Sequence, residues 1–189
     1  LYATFDIHPP RSDRLIIKGA RGLFKNETLQ NVALSILNSC GSALFALRRE
    51  DRPIFGKACT VKAAKADLLE KYAEETIWVS SIIPGGTDRK FLERVGVITA
   101  MLATHRKNAS RSNEFWVATR DAEMMKKDDP RKKLHDALIS LTNSNGRSGS
   151  NAQASNYAMC ISWWNSWITG EKRTSVKIGG MKELPLVKG

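Results

Sequence analysis

The sequence predicts an α+β fold: a predominantly helical single domain with a few short strands, the last near the C-terminus. Three observations carry this. Apolar residues recur at helical spacing in several long windows, between residues 27–49, 61–75, 88–104, 130–141 and 152–168. Short β-branched runs at 2–7, 14–18, 76–83 and 173–178 read as strands. At 189 residues, with 42% hydrophobic and 26% charged side chains, the chain is long enough for one sizeable core and short for two. Residues 1–189 are therefore expected to form one domain with basic N- and C-terminal regions, and 181–189 a tail.

Tyr2 to Ile7 is expected as a strand stopped by Pro9-Pro10, and Arg14 to Lys18 as a second. Gly19 and Gly22 bracket Arg21 in a turn whose cations include Arg11, Arg14, Lys18, Arg21 and Lys25. The first helix is predicted from Glu27 to Arg49, with Asn26 as N-cap and Leu29, Val32, Ile36, Leu37, Cys40, Leu44 and Leu47 as its apolar stripe. Gly41 inside it implies a kink or a close helix contact, since glycine there costs ~1 kcal/mol relative to alanine. A second amphipathic helix carries Val61, Ala64, Leu68, Leu69 and Tyr72, with its lysines, Lys65 included, mostly outward, and is closed by Glu74 and Glu75.

Thr76 to Ile83 reads as a buried strand or an extended segment ended by Pro84-Gly85-Gly86. Asp88 is expected to cap a helix whose stripe is Phe91, Leu92, Val95, Ile98 and Leu102. His105 to Arg111 has no acidic residue and reads as a flexible basic loop. Phe115 to Thr119 fits a strand or a helix start. Asp129-Pro130 is a strong helix-start signal, followed by Leu134, Leu138 and Leu141 on one face. Arg131, Lys132 and Lys133 in its first turn oppose the helix dipole, which favours an anion nearby. After a polar loop over 143–151, a helix from Ala152 to Ile168 places Tyr157, Ile161, Trp164 and Ile168 on one face, with Trp163 and Trp167 directed elsewhere. Gly170 ends it, and Arg173 to Ile178 alternates as a strand with Arg173 and Lys177 on its polar face.

The charge pattern points to function. Thirty basic against nineteen acidic side chains leave +11, with an isoelectric point near 9.8, so the natural partners are acidic. Residues 1–62 hold ten basic and five acidic groups, and residues 143–189 hold six and two, so nine of the eleven excess charges sit in the two ends. Aromatic faces beside fixed cations suit bases and phosphates, and stacking of a base on an exposed ring is worth ~1–3 kcal/mol. The expected nucleic-acid-binding residues are Arg11, Arg14, Lys18, Arg21, Lys25, Arg106, Lys107, Arg111, Arg147, Trp163, Trp167, Arg173 and Lys177, arranged as a composite basic groove.

Other chemistry finds less support in the sequence. Cys40, Cys59 and Cys160 show no metal-ligand spacing and no disulfide framework, which favours a reducing compartment, cytoplasm or nucleus, or the interior of a viral particle. His8, His105 and His135 form no HExxH or Cys/His cluster, so no metal site, no catalytic residue, no cofactor and no small-molecule substrate are expected. No phosphate-binding GKS or GKT follows the glycine-rich loop around Arg147, and neither RNA-recognition aromatics nor zinc-finger spacings occur. No run reaches the ~18 apolar residues of a membrane span. The expectation is a non-catalytic protein that binds RNA or single-stranded DNA through phosphates, packages or coats it as a nucleoprotein or capsid-like protein does, and self-associates. Two alternatives stand beside it. One is a peripheral matrix-type protein on anionic membrane with Trp163 and Trp167 as anchors. The other is a small metal-independent ribonuclease with His105 as general acid–base.

Overall fold

A computed structural model describes residues 21–48, 53–56, 62–83, 90–143, 149–176 and 183–189. Among them every regular element is helical. The α-helices are α1 (Glu27–Asn31), α2 (Leu34–Ala46), α3 (Lys62–Lys71), α4 (Ala73–Ile82), α5 (Val95–Lys107), α6 (Ala109–Arg120), α7 (Pro130–Asn143) and α8 (Ser150–Thr169), with 3₁₀ turns at Arg21–Leu23 and Ala122–Met124. The fold is therefore helical rather than α+β. The expected strands at Thr76–Ile83 and, over its described residues 173–176, at Arg173–Ile178 are corrected; residues 177–178 and the strands expected at 2–7 and 14–18 lie outside the described residues.

Thr76 to Ile83 shows why. Its β-branched composition argued for a strand, yet Thr76, Val79, Ile82 and Ile83 are the buried positions, which is the three-to-four spacing of a helix face. Glu74 and Glu75 do not close the preceding helix; they occupy the first turn of α4, where carboxylates complement the dipole. The hydroxyl of Thr76 donates to Tyr72 O at 3.0 Å, which removes the polar cost of placing it in the interior.

The long first helix is divided. Asn26 caps α1 as expected, its Oδ1 accepting from the backbone N–H of Thr28 and Leu29, but Val32 and Ala33 turn to extended backbone before α2 begins. The break is held from outside, because the Arg21 guanidinium donates to the freed carbonyl of Val32. Gly41 marks a close helix contact. A Cβ there would stand 3.0 Å from Lys65 Cγ of α3, and Lys65, expected outward, is buried with its ammonium donating to Asn38 Oδ1 at 3.3 Å.

Helix α5 is the hub, packed by α2, α4, α6 and α8, and Val97, Ile98, Ala100, Met101 and Leu102 along it are fully buried. Its closest approach is to α8: a Cβ on Gly96 would lie 2.2 Å from Gln153 O, so only glycine lets the two backbones meet. The segment His105 to Arg111 is not a loop. α5 runs through Lys107, Asn108 ends it, and the Asn108 side chain caps α6 by accepting from Arg111 N at 3.1 Å. A buried network locks this corner. Trp116 Nε1 donates to Thr104 Oγ1 at 2.9 Å, and Thr104 and Ser112 hydroxyls pair at 2.9 Å.

Candidate nucleic-acid interface

The site is built where the start of α7 meets the end of α8. Asp129 and Pro130 begin α7 as the sequence implies: Asp129 Oδ1 accepts from Arg131 N at 2.9 Å, and its carboxylate is also held by the Arg131 guanidinium at 2.8 Å. Those bonds from Arg131 draw the Asp129 carboxyl below the usual carboxylate range, against the opposing effect of burial. At the other end, Gly170 takes a left-handed φ of 68° and stops α8. The chain then turns back along α7, fixed by Lys133 Nζ donating to Arg173 O at 2.8 Å and by Ser166 Oγ donating to Glu171 O.

Between these elements lies a groove of about 480 Å³. One wall is Lys126, Asp128, Asp129, Pro130 and Lys133; the other is Ser166, Trp167 and residues 170–174. Two of its acids are occupied, Asp129 by Arg131 and Glu171 by Arg173 at 3.2 Å. Lys126 and Lys172 are exposed and have no acid within ion-pair distance among the described residues. They are the groove's uncommitted cations, and Asp128 is its remaining acid.

Trp167 forms the floor on the α8 side and is half-buried. Arg111 stands 4.2 Å and Arg131 5.4 Å from its ring centroid, and Phe115 and Trp164 pack at 5.4 and 5.6 Å. Its ring is committed to these neighbours, so it orders two guanidiniums at the groove rather than offering a free face to a base. Trp163 is 4% exposed, with Lys133 Nζ 5.6 Å from its centroid.

The residues expected at the interface are thus sorted by the fold. Arg111, Trp163, Trp167 and Arg173 come together at or beside the groove. Arg106 is held elsewhere: it makes a two-pronged ion pair with Glu75, nearest contact 2.9 Å, and lies 4.7 Å from the Tyr72 centroid. Lys107 packs against Gly189. Arg21 is spent on Val32 O, and Lys25 is exposed at the start of α1. Arg11, Arg14, Lys18, Arg147 and Lys177 lie outside the described residues, as does the expected cap Asp88.

His105 sits at the α4–α5 contact, stacked on Trp78 at 4.1 Å with the planes 25° apart, and Trp78 in turn donates to Asn113 Oδ1. Burial lowers its pKa, with Glu75 opposing, and its Nδ1 is enclosed without a partner among the described residues. The three cations opening α7 find internal partners: Arg131 with Asp129, Lys132 with Asp136 at 2.6 Å, Lys133 with Arg173 O. The dipole conflict seen in the sequence is therefore answered largely within the chain. Local sequence does not mark Lys126 and Lys172 as groove residues, because the groove joins segments about 45 residues apart; the Lys126-Lys127 pair and the adjacency of Lys172 to Arg173 are the local signals.

Among the described residues no group of three or more His, Cys, Asp or Glu side chains is placed to hold a metal, and no helix is long and apolar enough to cross a membrane. No protein-family model matches the chain, and neither a curated protein nor a solved structure matches it.

Proposed function

We propose that this protein binds RNA or single-stranded DNA without catalysis, through phosphate contacts in the groove between α7 and the end of α8, in a packaging or coating role. The observation that supports this reading is the pairing of two uncommitted lysines, Lys126 and Lys172, on opposite walls of one groove, backed by Lys133, Arg173 and the guanidiniums ordered on Trp167. Paired cations across a groove follow a polyanionic backbone, and the committed aromatic ring leaves phosphate rather than base as the group recognised. Binding of this kind is sequence-tolerant, as a coat requires.

Fluorescence anisotropy with labelled single-stranded RNA, single-stranded DNA and duplex DNA tests it. If the four lining cations each meet a phosphate, the single-strand salt exponent of ~0.7 per contact predicts a ~50-fold loss of affinity between 50 and 200 mM salt. Replacing both Lys126 and Lys172 with Gln halves the exponent and reduces that loss to ~7-fold. Absence of binding at low salt, or a double variant with the wild-type affinity and salt dependence, refutes the reading.

A further inference from the structure

The groove between α7 and the end of α8 carries one acid that phosphate recognition does not use. Three carboxylates line it, those of Asp128, Asp129 and Glu171. Asp129 is held by the backbone N–H and guanidinium of Arg131, and Glu171 by the Arg173 guanidinium at 3.2 Å. Asp128 is exposed and makes neither an ion pair nor a hydrogen bond among the described residues. A free carboxylate among cations that hold phosphates repels any polyanion, so it lowers affinity unless the bound strand presents a hydrogen-bond donor to it. It is also the strongest acceptor left in the groove, because Ser166 Oγ is engaged with Glu171 O and Thr174 offers only a hydroxyl.

We propose that Asp128 selects RNA over single-stranded DNA by accepting a hydrogen bond from a ribose 2′-hydroxyl, a selectivity that rests on reading this groove as the nucleic-acid site. The sugar-phosphate backbone of DNA carries no hydrogen-bond donor, whereas RNA carries one on every sugar, and that hydroxyl is the group by which a protein tells the two apart. Position agrees with chemistry. Lys126 and Asp128 stand on one wall two residues apart, a chain reach of at most ~7 Å, and each 2′-hydroxyl lies on the sugar next to a phosphate. A phosphate on Lys126 therefore brings the adjoining ribose to Asp128, with Lys172 on the opposite wall of the same groove. Toward DNA the carboxylate has only its repulsion to offer. Discrimination thus has an attractive part for the right strand and a repulsive part against the wrong one. No base edge is read, so the sequence tolerance of a coat is kept.

Fluorescence anisotropy with labelled oligouridylate, oligodeoxyuridylate and 2′-fluoro-oligouridylate of equal length tests it at low salt. The base is the same in all three, and fluorine keeps the ribose-like sugar shape while removing the donor. The expected result is a ribo strand bound about tenfold more tightly than either of the others, the size of one hydrogen bond to a charged group. Asp128→Ala brings the three affinities together, and it binds the deoxy strand more tightly than the wild type does because a like charge has gone. Asp128→Asn keeps the shape and a neutral acceptor, and leaves the ribo strand about threefold ahead. Circular dichroism checks that both variants retain their helices; if Asp128→Ala does not, Asp128→Asn decides alone. Equal affinity of the wild type for the three strands, a fluoro strand bound as tightly as the ribo strand, or a ribo preference undiminished in the variants overturns the inference, and the salt dependence of that binding leaves the phosphate reading standing. Failure of all three strands to bind overturns both.

Discussion

Gly96→Ala is the most informative single substitution in the core. In an exposed helix this change stabilises by ~1 kcal/mol, because alanine is the better helix former. Here the added methyl would stand 2.2 Å from Gln153 O, 2.9 Å from Gln153 C and 3.0 Å from Asn156 Cβ, all on α8. Ordinary contact requires about 1 Å more, and the obstacle is backbone that has no rotamer to escape into. Separating α5 from α8 by that distance forfeits a quarter to a half of the dispersion energy along their contact. Overpacking of this kind costs ~3 kcal/mol at the upper end of its usual range, and subtracting the propensity gain leaves a net loss of ~2 kcal/mol. For a chain of this size that is a fall of ~4–8 °C in Tm. Urea and thermal unfolding followed by circular dichroism measure it, with Gly22→Ala as the control, since nothing lies within 4 Å of that position. A Gly96→Ala protein as stable as the wild type, or more so, refutes the α5–α8 crossing.

Asp129→Ala removes the cap of α7 and should destabilise by ~1–2 kcal/mol at neutral pH. The folded-state carboxyl titrates below its ordinary value, so this contribution is complete above pH ~4 and is lost as pH falls through the folded pKa; wild-type and variant stabilities should converge at acid pH in urea titrations. His105 has a folded pKa below 6.5, so its contribution is complete above that value and declines as pH falls toward the folded pKa; its NMR midpoint should lie below 6.5 and drop further in Glu75→Gln, since Glu75 raises it. Burial raises the Cys40 and Cys160 thiols far out of their ordinary range, so mass spectrometry after iodoacetamide at pH 8 should find both unmodified in the native protein and modified in denaturant.

Several features of this protein follow from its sequence alone. Asn26, Asp129-Pro130 and Gly170 mark helix ends by chemistry local to a few residues, and the fold uses them as such. The stripes of α2, α7 and α8 were legible because helical spacing is also local, and Tyr157, Ile161 and Trp164 are buried as that spacing requires. The excess of positive charge belongs to composition and needs no fold. Tertiary structure decided the rest. Thr76 to Ile83 is helical because its packing partners, α1, α2, α5 and α6, outweigh a β propensity of at most ~1 kcal/mol per residue. Likewise the break at Val32–Ala33, the absence of a loop at Asn108 and the burial of Lys65 depend on partners distant in sequence: Arg21, the Thr104–Ser112–Trp116 network and the gap at Gly41. The same holds for the basic groove. Which of the described cations are held by internal partners, and that Lys126 and Lys172 line one groove with no acid in ion-pair reach among the described residues, is a property of distances between segments, and spacing along a chain does not encode those distances.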